Sequence, residues 1–128
     1  MIEKAKLVVT RNKRLLIVYN GQDYSLPGGK VASAYGESAP HAVQRETREE
    51  THGHVTGIRL YDTMRYHNGN NEDVCTKIYR GRISGRLASG WEIKKVLWAS
   101  REELDQKYMP NSKSLKKTKA KLIKGGLI

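Results

Sequence analysis

Three glutamates, Glu46, Glu49 and Glu50, stand at i, i+3 and i+4, so on an α-helix they fall within an arc of about 100°. The turns before them place Ala39, Ala42 and Val43 on the same side, so the carboxylates continue what begins as an apolar stripe. Three like charges turned toward a protein body repel one another, and desolvation adds to the cost. A bound hard cation removes both penalties, because all-oxygen carboxylate clusters suit Mg²⁺, Mn²⁺ or Ca²⁺. Arg45, four residues before Glu49, is placed to pair with it. The competing reading is a solvated face, which is what glutamate-rich helices ordinarily are.

A glycine-rich segment, Leu26-Pro27-Gly28-Gly29-Lys30, precedes this helix by one loop, and glycines let backbone groups approach a phosphate or metal closely. It is not a Walker A loop, since Tyr24 and Val31 occupy positions where that pattern needs Gly and Ser or Thr.

The elements that must position these residues are readable from patterning. Residues 5–10 and 14–19 are expected to be strands joined by an Arg11-Asn12-Lys13 turn, with a further turn at Asn20-Gly21. The Pro-Gly-Gly segment breaks regular structure, and a loop is expected as far as Gly36. Residues 38–51 read as the carboxylate helix: Ser38 is its N-cap, Pro40 lies in the first turn, and Gly53 is the stop signal. Strands follow at 55–66 and 73–83, turning at Asn68-Gly69-Asn70-Asn71, and a short strand spans Glu92–Trp98. Ser100 and Glu103 form a capping box for a second helix that Pro110 ends, and residues 112–123 make a last, basic helix carrying Leu115, Leu122 and Ile123. Strands, helix, strands, helix in that order imply a mixed α/β or α+β domain, with no linker dividing the chain.

Taken together, Leu26-Pro27-Gly28-Gly29-Lys30-Val31, Gly36-Glu37-Ser38 and Arg45-Glu46-Thr47-Arg48-Glu49-Glu50-Thr51 strongly resemble the Nudix box. Seven residues separate Glu37 from Arg45, as in that pattern, and the R-E-x-x-E-E core is intact. Glu92-Ile93-Lys94-Lys95-Val96-Leu97-Trp98 is similar to a later strand of the same family, and the likeness covers about residues 3–106. Three departures stand out. Seven residues rather than five separate Gly29 from Glu37, Thr47 replaces an apolar residue, and His52 occupies the final glycine's place.

The resemblance implies a Nudix-type α/β/α sandwich with a mixed β-sheet, and an enzyme that cleaves the diphosphate linkage of a nucleoside diphosphate joined to a further group. It assigns Glu46, Glu49 and Glu50 as ligands of Mg²⁺ (Mn²⁺ substituting), Glu37 as an outer ligand and the Gly29 carbonyl as another. Arg45 would orient Glu49. Glu50 leads as general base, with Glu92 as the outside candidate. Lys30, with Gly28 and Gly29, would contact substrate phosphate. Tyr24, Tyr61, Tyr66 and Tyr79 are either stacking groups or half-buried strand residues.

Charge bears on the substrate. Of the 128 residues, 24 are Lys or Arg against 13 acids, a formal +11, and no acid follows Asp105 while seven lysines do. Such a field attracts polyanions, among them nucleoside triphosphates, dinucleoside polyphosphates and RNA 5′-triphosphate ends. The basic C-terminal segment, about 111–128, either gathers such anions or packs as an amphipathic helix. A catalytically silent nucleotide- or RNA-binding module is the main alternative, and a basic RNA-associated structural protein is a third. One cysteine, Cys75, excludes an internal disulfide framework, no run is long enough to span a membrane, and the cytosol is the expected address.

Overall fold

The computed structural model describes residues 1–108 and 113–128. Its strands are β1 (Ile2–Val8), β2 (Thr10–Arg11), β3 (Arg14–Tyr19), β4 (Tyr24–Ser25), β5 (Gly28–Lys30), β6 (His54–His67), β7 (Asp73–Ser84) and β8 (Lys95–Ala99). The helices are α1 (Ala39–Thr51), α2 (Arg101–Glu103), which runs on as a π-helical turn to Tyr108, and α3 (Lys113–Lys124). One sheet has the order β5-β1-β7-β6, and β1 and β7 are its parallel pair; β2, β4 and β8 all pair antiparallel with β3 in a second sheet.

The expected strand over 5–10 divides between these sheets. β1 ends at Val8, and the Val9 carbonyl already accepts the Leu16 N–H of the second sheet at 3.0 Å. β1 therefore pairs with β5 and β7 and forms no hairpin with β3. Alternation along it sends Ala5 and Leu7 to one face, where Ala39, Ala42 and Val43 of α1 cover them. Val8 joins the opposite face with Ile17, Met64, Ile78, Leu115 and Leu122. Helices on both faces of a mixed sheet make the α/β/α sandwich that the resemblance implied.

α3 is thus a packing helix. Leu115, Thr118 and Leu122 point inward at i, i+3 and i+7, while Lys116, Lys117, Lys121 and Lys124 are exposed. Of the two readings of the basic segment, the amphipathic one holds, and removing it would open the core. Pro110, expected to end the preceding helix, lies outside the described residues.

Both ends of α1 differ in interest. Ser38 caps it as expected, its Oγ accepting the His41 N–H at 3.3 Å. At the other end the helix stops at Thr51 because His52 itself takes the left-handed conformation (φ 62°), rather than passing that role to Gly53. Gly53 is needed for space instead: a Cβ there would lie 2.4 Å from Ile83 Cδ1. The last carbonyls of α1 are satisfied from the β7–β8 connection, by Ala88 N–H on Thr51 (2.9 Å) and Gly90 N–H on Glu50 (2.8 Å). The Ser100–Glu103 capping box forms with both of its hydrogen bonds.

The inward stripe of α1 corrects the sequence expectation. Its fully buried continuation is Thr47 and Thr51, while Glu46, Glu49 and Glu50 lie half-buried on its flank. The Thr51 hydroxyl donates to the Thr47 carbonyl at 2.7 Å, but the buried Thr47 Oγ1 finds no partner among the described residues. Thr47→Val should therefore stabilise the fold by about 1 kcal/mol by removing an unsatisfied hydroxyl. His52→Gly should add about 0.5–1 kcal/mol, relief of left-handed strain outweighing the freer unfolded chain. Urea denaturation checks both, and a lowered midpoint in either variant contradicts the assignment.

Candidate active site

Gly28 sits at the centre of the site. Its φ of +132° and the position of a hypothetical Cβ, 2.1 Å from the Ala5 carbonyl oxygen, admit glycine alone. The expected loop here is in part strand: Gly28, Gly29 and Lys30 pair with Lys6, Ala5 and Lys4 as the edge of the first sheet. That pairing fixes the Gly28 N–H, which donates to Glu50 Oε1 at 2.7 Å. Burial pushes the Glu50 carboxyl up to about 7, against the opposing pull of that N–H and of Lys6.

Lys6 approaches the same segment from the other side of β1. Its ammonium donates to the carbonyls of Gly28 (3.2 Å) and Leu26 (3.3 Å). Burial pushes this lysine below its ordinary value, while Glu50 pulls it back up and Lys4 pushes it further down. Sequence reasoning missed Lys6. The signal was its place on the otherwise apolar row Ile2, Lys4, Lys6, Val8 of a strand.

Arg45 organises the remaining acids. Its Nε and Nη2 bind Glu37 at 2.7 and 2.9 Å, a two-point pairing, and the Ala32 N–H adds a third bond to Glu37 at 2.9 Å. These bonds, Arg45's first, hold the Glu37 carboxyl down at about 2 and raise the guanidinium in turn. Arg45 Nη1 reaches Glu46 at 3.2 Å and Glu49 at 3.3 Å, so Glu37 rather than Glu49 is its closest partner. Gly29 presses on Glu46, whose Cδ would lie 2.8 Å from a Cβ at that position.

The acids and loop glycines are brought together; one expected residue is not. Glu92 lies before β8 rather than within it, in an exposed turn with φ 58°. No hydrogen bond or ion pair links its carboxylate to Glu46, Glu49 or Glu50 among the described residues. Lys30 is exposed at the sheet edge. Tyr79 is buried against α1, which removes it from the stacking candidates, and Tyr61 lies beneath Lys121 at 4.3 Å. Tyr24 stacks on Tyr19 and, with Tyr66, lines a cavity of about 150 Å³ behind the glycine segment, between the sheet and α3.

The donor set suits a hard dication. Four carboxylates face two cations, Arg45 and Lys6, which leaves two negative charges uncompensated when all are ionised. As arranged, no three such side chains among the described residues gather around one point, since Arg45 draws three of the acids to itself. Its longer contacts, to Glu46 and Glu49, are the ones able to yield.

Comparison with known proteins agrees with this geometry. Residues 2–123 match the model of the NUDIX domain family. Among solved structures, a NUDIX hydrolase from Nitrosomonas europaea superposes with a TM-score of 0.79 at 20% identity, covering 98% of this chain and 90% of that one. A MutT NUDIX hydrolase from Burkholderia pseudomallei gives 0.78 at 20% identity, over 93% and 95% of the two chains. The E. coli ORF135 protein gives 0.76 at 23% identity, over 96% and 91%. No curated protein sequence matches the chain.

Two opposite pH dependences follow for the metal-free protein. Glu50 titrates in the fold at about 7, above its unfolded 4.5, so its contribution is full below 4.5 and lost as pH rises through 7. Glu50→Gln should therefore melt higher than the parent near pH 8, with the difference vanishing toward pH 4.5. Glu37, held at about 2, contributes stability above 4.5 that is lost as pH falls through 2. Glu37→Gln should melt lower near pH 8 and converge with the parent in acid. Thermal melts across pH check both signs, and parallel curves for parent and variants contradict them.

Proposed function

Because the chain belongs to the NUDIX domain family, whose members are hydrolases of phosphorus-containing acid anhydrides, we propose that it is a Mg²⁺-dependent pyrophosphohydrolase of nucleotide-type substrates. The observation that carries this is the half-buried carboxylate face of α1 set against the Gly28-Gly29 edge, with more negative charge than its cations balance. Nudix hydrolases use divalent metal ions. Here Glu46, Glu49 and Glu50 would hold the ion, with the Gly29 carbonyl beside them and Glu37 in an outer position. A bound Mg²⁺ or Mn²⁺ neutralises phosphate oxygens and makes a water more acidic.

The chain's own groups supply the rest. Glu50, with a carboxyl near 7, is a base matched to neutral pH and is steered by the Gly28 N–H. Arg45, anchored on Glu37, keeps the adjacent acids in register on α1 and is a positioning residue. Glu92 has no contact with these groups, and we assign it no part. The Gly28-Gly29 backbone and Lys30 are the contacts for substrate phosphate. The formal +11 favours substrates of high negative charge, such as nucleoside triphosphates, dinucleoside polyphosphates or RNA 5′-triphosphate ends. Retention of all four box glutamates argues for an enzyme over a silent binding module.

A panel of nucleotides incubated with Mg²⁺, and assayed for phosphate, pyrophosphate and nucleoside monophosphate, tests the reading. We expect turnover that EDTA abolishes. Glu50→Gln should lower kcat on the order of 10²–10³-fold, although the same variant is the more stable protein near pH 8. Arg45→Lys, which loses the two-point pairing, should cost roughly 10–100-fold. Turnover unchanged by EDTA or by Glu50→Gln overturns the proposal.

A further inference from the structure

The face of the first sheet opposite α1 holds a second charged feature. Lys30 stands directly across from Lys4 in the β5–β1 ladder, so the two lysines project to the same face. Lys6, two residues along β1, projects there too. Like charges paired across a ladder are destabilising, and here they interrupt a row that is apolar at Ile2 and Val8. No carboxylate balances them on that side: the cavity behind the glycine segment is lined by Lys4 and Lys6 with Ser25, Tyr66, Thr76 and apolar groups, and by no acid among the described residues. Lys6 spends two of its three N–H groups on the Leu26 and Gly28 carbonyls, which leaves one for an occupant. The volume, about 150 Å³, is that of a void able to hold one benzene ring, too small for a whole nucleoside.

Resting on the hydrolase reading above, we infer that Lys4, Lys6 and Lys30 form an anion subsite, and that the favoured substrate carries a further phosphate group, beyond the bond being cleaved, which enters this cavity. The Gly28 peptide is shared between the two regions, since its N–H binds Glu50 and its carbonyl binds Lys6. A phosphate seated on the lysines is therefore one peptide away from the carboxylate face. A neutral sugar in the same place leaves three ammonium groups uncompensated, so the subsite selects for charge.

Two arms test this on the full chain. In the first, calorimetry with inorganic tripolyphosphate and no metal should give binding that Lys4→Met weakens about tenfold, the loss of one charge-assisted hydrogen bond. The double variant Lys116→Met, Lys117→Met, which removes two exposed charges from α3, should change it less than about twofold. Equal losses in both variants would assign the binding to net charge alone and overturn the subsite. In the second arm, with Mg²⁺, Lys4→Met should lower kcat/KM for ATP about tenfold more than for ADP-glucose, and an equal effect on the two also overturns it. A chain that hydrolyses neither compound contradicts the hydrolase reading, while the first arm still decides the subsite.

Discussion

Gly28 takes part in two opposed hydrogen bonds, its N–H held by Glu50 from α1 and its carbonyl by Lys6 from beneath β1. A backbone at φ +132° with no room for a side chain makes that double grip available to glycine only. Because Gly28 is also laddered to Lys6, and β1 lies between β5 and β7, the grip ties the carboxylate helix to the interior of the sheet rather than to a free loop. The positions of Glu50, of the Gly29 approach to Glu46 and of the cavity under α3 all depend on it. Catalytic groups on rigid elements need little reorganisation when charge develops.

The second constraint is electrostatic. Turned inward, three glutamates on one helix face would be hard to tolerate without a metal, and that was the sequence-level argument for one. In the fold the acids lie on the flank, and Arg45 engages three of them while Gly28 and Lys6 attend to the fourth. Tolerance therefore comes from within the chain. The case for a dication rests instead on surplus negative charge and an all-oxygen donor set. It also rests on the unequal grip of Arg45, short to Glu37 and long to Glu46 and Glu49.

Much of this was legible in the chain because local signals and global fold agree. Ser38 and Pro40 mark the start of α1, the Asn68–Asn71 turn separates β6 from β7, and Ser100 with Glu103 marks α2, each through a local hydrogen-bonding or φ preference. The box spacing brought Glu37, Arg45 and the three glutamates together. What escaped depends on partners distant in sequence. Gly28-Gly29 reads as a breaker but serves as an edge strand, because β1 supplies the ladder. The change of sheet at Val9 has no local signature, since both halves are equally strand-forming. Lys6, flanked by alanine and leucine, looks like an ordinary solvent-facing strand residue until the Leu26 and Gly28 carbonyls fold over it. His52 adopts the conformation expected of glycine because Gly53 is committed to clearance from Ile83.

The central claim is that the α1 carboxylates exchange part of their hold on Arg45 for a divalent ion. Anomalous diffraction from a crystal soaked in Mn²⁺ addresses it most directly. We expect a manganese peak coordinated by Glu46, Glu49 and Glu50, with Arg45 retaining Glu37 and releasing the other two. A soaked crystal in which Arg45 still bridges Glu46 and Glu49, with manganese bound elsewhere or nowhere, would contradict it.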